Sequence, residues 1–385
     1  MPEITRPAKA EQPASASMPR LRARRPPVRI PADRVHFLIA TAARAPSVHN
    51  TQPWQFLAGE YAIELHADRS RRLRVDQGGR EMLISCGAAL FGLRLAIREL
   101  GYLPAVSLLP DPTRPDFLAS VTLGEQAPMT GLERYMLAAI PHRHTHRGPF
   151  SSDPLPSGLL AGLQQDALAE GAGLALIDQP GPYQQLAGLV AAAGRRQALD
   201  PIARAEARRW SRKANSPARD GVPANSFTAA AGAQPGRLAQ RDFDLGRGIG
   251  LLPDGGPPPA ATAVLITNCD SPADWLRAGQ AMNRVLIHAA SAWVFASLHT
   301  QALEVPAVRA LIRSRLALPG QAQMLMQLGR SCSTQPTARR PTSELLIEPR
   351  RRPARRRPGG ARAQGPADVG PNAPDDDCQP GPAWQ

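Results

Sequence analysis

Lysine is almost missing from this chain of 385 residues: only Lys9 and Lys213 stand among its 46 Lys and Arg residues. Arginine, alanine, glycine and proline abound instead, a bias that reads as GC-rich coding rather than as phosphate recognition. Aromatic residues make up 4% of the chain. The four cysteines, Cys86, Cys269, Cys332 and Cys378, form no Cys-x-x-Cys pair. That removes the short-spaced zinc and dithiol motifs and leaves reduced, structural thiols as the expectation. No apolar run approaches the roughly 18 residues of a membrane span, and the N-terminus lacks the apolar core and small-residue cleavage site of a secretory signal. A cytoplasmic location with no membrane partner is therefore expected. A glycine-lysine phosphate loop, a Gly-x-Ser-x-Gly elbow and a His-Glu-x-x-His helix are also absent. Gly246-Arg247-Gly248-Ile249-Gly250 has the wrong glycine spacing for a dinucleotide loop, and no strand precedes it.

What is present suffices for a large core. The hydrophobic share is 43%, and the length suggests two units or one large one. The 41 prolines imply that part of the chain is unstructured. The formal charge of +14 invites a nucleic-acid reading, but residues 1–30 carry a net +5 and residues 350–385 a net +3. The remainder is ordinary for a body of this size, so no specific nucleic-acid partner is expected. Residues 1–30 and 349–385 read as disordered tails, the first basic, the second basic and then acidic around Asp375–Asp377.

Within the body, helical periodicity through Val35, Leu38, Ile39 and Ala42 stops at Pro46, which removes a backbone donor and disfavours helix at Ala45. A polar turn, Ser47-Val48-His49-Asn50-Thr51-Gln52, then enters strands near 54–58 and 61–67. A long helix over Arg80–Leu100 ends at Gly101, a plausible C-cap. Strands at 105–109 and 118–123 and a helix near 129–139 lead to Pro141-His142-Arg143-His144-Thr145-His146-Arg147-Gly148-Pro149-Phe150. In an extended backbone Arg143, Thr145 and Arg147 share one side and the three histidines the other. The segment could thus hold a metal through its histidines, clamp an anion through its guanidiniums and hydroxyl, or form a solvated basic strand.

Further on, helices at 156–168 and 182–196 flank a strand at 174–177. Residues 198–259 are polar and rich in Gly and Pro, with a short helical piece at Ile202–Trp210 and apolar anchors at Trp210, Phe227, Phe243 and Leu251. A segment this long is expected to act as a lid. A strand at 260–268, suited to burial on both faces, precedes a long helix. Its Gly279-Gln280-Ala281-Met282 parallels Gly87-Ala88-Ala89-Leu90 in the earlier long helix, which reads as an internal pseudo-repeat. His49 and His299 sit where a polar group could meet a ligand, although lone histidines are usually structural.

The Ala-Pro-Ser turn with its Asn and Gln-Pro-Trp, and the His49-Asn50-Thr51-Gln52 variant in particular, resemble the flavin-binding turn of the nitroreductase superfamily, in its Acg-like branch. The resemblance covers roughly residues 31–348. It implies an α+β nitroreductase-like fold of two pseudo-repeated halves, 31–141 and 142–348, that mimic the usual homodimer in one chain, with the lid-like insertion at about 198–259. It implies FMN as cofactor, one per chain, so that a monomer suffices for a site, with further dimerisation left open. The Arg-x-Ser/Thr-x-Arg/Lys clamp of the family carries over to Arg143, Thr145 and Arg147, with His144 between them, and its last phosphate-side element to Arg339 and Arg340. Pro46, Ser47, Val48, Asn50 and Gln52 would bond or pack against the flavin ring. The implied activity is hydride transfer from NADH or NADPH through FMN to a small-molecule electron acceptor such as a nitroaromatic or a quinone. The alternative is an FMN-storing or sensing protein with an occluded flavin. In neither case is a protein acid or base, or a metal, strictly required.

Overall fold

Leu38, Ile39 and Ala42 lie on the buried face of the first helix, α1 (Val35–Ala42), which packs against a long helix and ends well before Pro46. The chain was described from a computed structural model, which defines residues 26–148, 150–227, 238–251, 259–331 and 337–348. Most of the expected tails, Pro149, Cys332, Cys378 and parts of the expected lid lie outside these residues. Ordered chain begins before the expected boundary: Val28 bridges to Leu123, and Ile30 is buried and donates to Glu60 O.

After the turn come β1 (Trp54–Ala58) and β2 (Ala62–Ala67), then α2 (Arg80–Glu99), β3 (Tyr102–Leu108), β4 (Phe117–Gln126) and α3 (Gly131–Ala139). Gly101 follows the end of α2 with φ 81°, the left-handed geometry that makes glycine a favoured helix terminator. The four strands form an antiparallel sheet in the order β1-β2-β4-β3. Next come α4 (Leu159–Ala169), β5 (Gly173–Leu176), α5 (Pro180–Leu199), α6 (Pro201–Trp210), and two short strands, β6 (Ser211–Arg212) and β7 (Val222–Pro223). The chain ends with β8 (Ala261–Thr267), α7 (Pro272–Ser291), β9 (Val294–Leu298), α8 (Pro306–Arg315), β10 (Gln321–Arg330) and α9 (Thr342–Leu345). The second antiparallel sheet has the order β5-β8-β10-β9.

Both sheets therefore place their first, second, fourth and third strands side by side, and in both a helix of 20 residues joins the second strand to the third. The expected strand at 260–268 is β8, interior to its sheet and buried along almost its whole length. β9 and α8 were not foreseen. Cys86 is free and buried, but Cys269 is disulfide-bonded, against the expectation of reduced thiols throughout.

The two long helices cross at their glycines. A Cβ added to Gly279 would lie 2.0 Å from Ile84 O and 2.8 Å from Gly87 Cα, and one added to Gly87 would lie 2.2 Å from Leu276 O. These are backbone atoms, which cannot rotate away as a side chain could. Asn283 Nδ2 donates to Ala88 O at 2.7 Å across the same contact, while its buried Oδ1 has no partner among the described residues. Of the 20 residues of α2, 18 are buried, so the helix is the common core of both halves. After β10 the chain returns to the first half, where Leu346 pairs with Phe56 and Ile347 donates to Phe56 O.

Gly279→Ala should therefore lower stability by about 3 kcal/mol or more, at the upper end of overpacking costs. The midpoint of urea unfolding measures this, and an unchanged midpoint would contradict the close crossing.

Candidate functional site

The helix stop at Pro46 delivers a turn of unusual backbone geometry. His49, Asn50 and Gln52 adopt φ values of 50°, 54° and 51°. Residues other than glycine rarely enter that region, and Asn is among the more tolerant. Strain of this kind persists only where the surroundings over-determine it. Here they do. Ser47 Oγ accepts from Gln52 N at 2.9 Å, closing the turn on itself, and Val48 N donates to Ser85 Oγ of α2 at 3.3 Å.

The two turn amides face outward from the cavity described below. Asn50 Nδ2 donates to Gly221 O and to Ala338 O, both at 3.1 Å, while its Oδ1 accepts from Arg339 at 3.1 Å. Gln52 Nε2 donates to Arg219 O at 2.8 Å, and its Oε1 accepts from Arg340 N at 2.8 Å. They fasten both the segment expected to be a lid and the returning C-terminal segment to the turn. Arg340 is itself occupied by Glu344 and Gln52 O.

Between the halves lies a cavity lined by Pro46, Ser47, Val48 and His49 of the turn, Glu81, Ile84 and Ser85 of α2, Thr145 and Arg147, Gln240, Arg241 and Phe243, and residues of α7, β9 and β10. Its free interior space is about 60 Å³. Phe243 closes one side and meets the His49 ring edge-on at 5.1 Å between centroids. Of the sequence-derived candidates, the structure brings Pro46, Ser47, Val48, Thr145 and Arg147 to this cavity. It does not bring Asn50, Gln52, Arg143, His144, Arg339 or Arg340 to its wall.

The expected alternation at 142–147 holds only in part, because Thr145 makes a single parallel bridge to Ala296 and the chain around it is irregular. His142 stacks on Trp293 at 4.9 Å, while His144 meets Phe295 at 4.5 Å and His146 meets Phe150 at 4.8 Å with their rings tilted. Burial holds His144 down to about 4, so it packs as a neutral ring. Arg143 turns to the end of α1 and donates to Arg44 O at 3.2 Å; Arg339 donates to Arg44 O and Ala45 O at 3.2 and 3.1 Å.

Arg143, Arg147 and Arg339 are the electrostatic anomaly of the molecule. No carboxylate among the described residues pairs with any of them, and Arg143 Nη1 and Arg339 Nε are buried without a hydrogen-bond partner. Burial pushes Arg143 down to about 10, with Arg44 adding to it. Burial and the neighbouring Arg241 bring Arg147 to about 10, and burial with Arg143 and Arg44 brings Arg339 to about 9. Buried charge without a counter-charge is costly, and these guanidiniums meet only neutral oxygens and a ring face. An anion would relieve them.

Sequence reasoning missed Glu81, Arg241 and Glu304. Arg241 and Glu304 form a buried ion pair, and Glu304 also accepts from Thr300 at 3.1 Å and Gln197 at 2.7 Å. Only Glu81 left a local signal, a charged pair Arg80-Glu81 at the start of an otherwise apolar helix. The tempting glycine loop 246–250 is filled by the protein itself. Asp244 accepts from Gly248, Ile249 and Gly250 N at 2.8, 2.7 and 3.0 Å, and these donors outweigh burial to hold its carboxyl low.

No family model matches the chain. Curated relatives do: a Mycobacterium tuberculosis H37Rv protein provisionally named NAD(P)H nitroreductase Rv3131 is 31% identical over 83% of this chain and 92% of its own length. The chain belongs to the nitroreductase family. A second relative from that strain, provisionally named NAD(P)H nitroreductase acg, is 28% identical over 83% of this nitroreductase-family chain and 97% of its own. A Bacteroides fragilis nitroreductase solved with bound FMN covers 59% of this chain and 98% of that one at 11% identity and a TM-score of 0.31, values too low to add to the assignment. Among the described residues no helix is long and apolar enough to cross a membrane.

The amide fastening is open to test. Asn50→Gly keeps the left-handed backbone accessible but removes three hydrogen bonds worth about 1 kcal/mol each. Trypsin should then cut after Lys213 and Arg219 at least roughly tenfold faster. An unchanged cleavage rate would show that the amides do not hold this segment.

Proposed function

We propose that the protein binds one FMN between its two halves and works as an NAD(P)H-dependent oxidoreductase on a small-molecule acceptor, a nitroaromatic or a quinone. The observation that carries this reading is the set of three arginines, Arg143 buried and Arg147 and Arg339 half-buried, without carboxylate partners among the described residues beside a cavity, in a chain of the nitroreductase family. A phosphate supplies the missing charge, and guanidinium forks match its oxygens. Arg143, Arg147 and Arg339 would hold that phosphate with the Thr145 hydroxyl, and Pro46, Ser47 and Val48 would border the ring. When bound, FMN supplies hydride acceptance from the nicotinamide and hydride donation to the acceptor. Asn50, Gln52 and Arg340 act one step away, by fixing the lid and the C-terminal segment against the turn.

In this reading the halves 31–141 and 142–348 stand in for two protomers, and residues 198–259 form the lid. One chain then suffices for one site. The free space of about 60 Å³ is far below the roughly 300–1,000 Å³ of small-molecule sites, so Gln240 and Phe243 make way when flavin enters, while Arg241 keeps its ion pair with Glu304. The same packing favours a second reading, FMN storage or sensing with little turnover.

Two measurements test these readings. Each charge-assisted hydrogen bond contributes about 1.5–3 kcal/mol, so Arg143→Ala with Arg147→Ala should weaken FMN binding by about 10²-fold or more. Unchanged affinity in this double variant removes the phosphate assignment. Anaerobic addition of NADH or NADPH to the flavin-loaded protein should bleach the yellow colour promptly; an inert spectrum supports storage instead.

A further inference from the structure

The cavity wall contains one acid that the proposed function does not use. Glu81, in the first turn of α2, is 4% exposed and lines the cavity. Its surroundings are unevenly supplied with donors. Arg80 reaches Glu81 Oε1 only at 3.4 Å, because its other nitrogen is committed to Gln323 O and Oε1 at 2.8 and 3.1 Å. Glu81 Oε2 has no hydrogen-bond partner among the described residues. Glu304, facing it from the segment after β9, has Arg241, Thr300 and Gln197. Asp76, before α2, takes the backbone N–H groups of Glu81 and Met82 at 3.2 and 2.9 Å.

Two carboxyl groups in contact inside a protein do not both ionise. The donors settle which one does. Glu304, ringed by donors, is held down to about 2, since burial is outweighed by the neighbouring Arg241. Glu81 therefore carries the proton. Burial, then Glu304, raises Glu81 well above the ordinary carboxyl range, Asp76 adding to this and Arg80 and Arg241 opposing it. His49, which shares the wall with Arg147 and Arg241, is kept neutral by burial and by Arg241, with neither ring nitrogen partnered among the described residues.

We propose that Glu81 is the proton donor to the acceptor bound in this cavity. The inference rests on the flavoenzyme reading above. Reduction of a quinone carbonyl adds a hydride, supplied from NAD(P)H by way of the flavin, and needs one proton to match it. The Oε2–H bond of Glu81 breaks, its electron pair stays on the carboxylate, an O–H bond forms on the acceptor oxygen, and water restores the proton before the next cycle. The new charge on Glu81 is unfavourable beside Glu304, which drives that reprotonation.

The test uses full-length, FMN-loaded protein, reduced anaerobically and mixed with benzoquinone, with flavin reoxidation followed against pH. The donor form exists below the raised pKa of Glu81, so the wild-type rate should fall as pH rises through it. Glu81→Gln keeps the shape but has no proton to give. Its reoxidation should be about 10²-fold slower and independent of pH over that range. An infrared difference spectrum between wild type and Glu81→Gln at neutral pH should also show one protonated carboxyl C=O stretch. A yellow Glu81→Gln protein with wild-type rate and pH profile, or the absence of that stretch, overturns the proton donor while leaving the flavin reading intact. A wild-type protein that cannot be loaded with FMN overturns both. Should Glu81→Gln fail to fold, a wild-type reoxidation rate that does not fall with rising pH overturns the proposal by itself.

Discussion

The close crossing of α2 and α7 at Gly87 and Gly279 sets the spacing on which everything else depends. Backbone meets backbone there, so the two sheets and the segments they carry are held at a fixed separation. The cavity lies beside this crossing, with Glu81, Ile84 and Ser85 from one long helix and Met282 from the other in its wall. A site assembled from two halves needs such a joint, because loose packing between them would blur the position of every group that converges from either side.

Around the joint, charge is distributed in two separate ways. On one side, Arg143 and Arg339 converge on the carbonyl end of α1, where the helix dipole gives partial compensation and no carboxylate completes it. On the other, Arg241 and Glu304 neutralise each other in a buried ion pair that reaches the segment over the cavity. The first arrangement is unfinished in a way that an anion completes. The second is finished, and its consequence is a proton kept on Glu81. Together they set a pair of arginines open to an anion beside the turn and an acidic group in the cavity wall.

Much of this was legible in the sequence because it is written locally. Pro46 ends α1, Gly101 ends α2, and the repeated Gly-x-Ala start of the two long helices announced their close approach. The strand alternation at 142–147 was read too simply. Only Thr145 pairs, so Thr145 and Arg147 reach the cavity while Arg143 turns toward Arg339 and the histidines pack on aromatic rings. Glu81 with Glu304, and Arg241 with Glu304, could not be read at all, since each pair joins residues far apart along the chain with no spacing rule to connect them. The roles of Asn50 and Gln52 were equally hidden: the residue types signal hydrogen bonding, but not that their partners are Gly221, Arg219 and the returning C-terminal segment.

The central claim is that the arginines without carboxylate partners await the phosphate of one FMN per chain. Quantifying the flavin released when the purified protein is denatured tests it most directly, with reconstitution by FMN where the protein is isolated without pigment. The account predicts a yellow protein that releases FMN, not FAD, at one per chain. A colourless protein that cannot be reconstituted with FMN would contradict it.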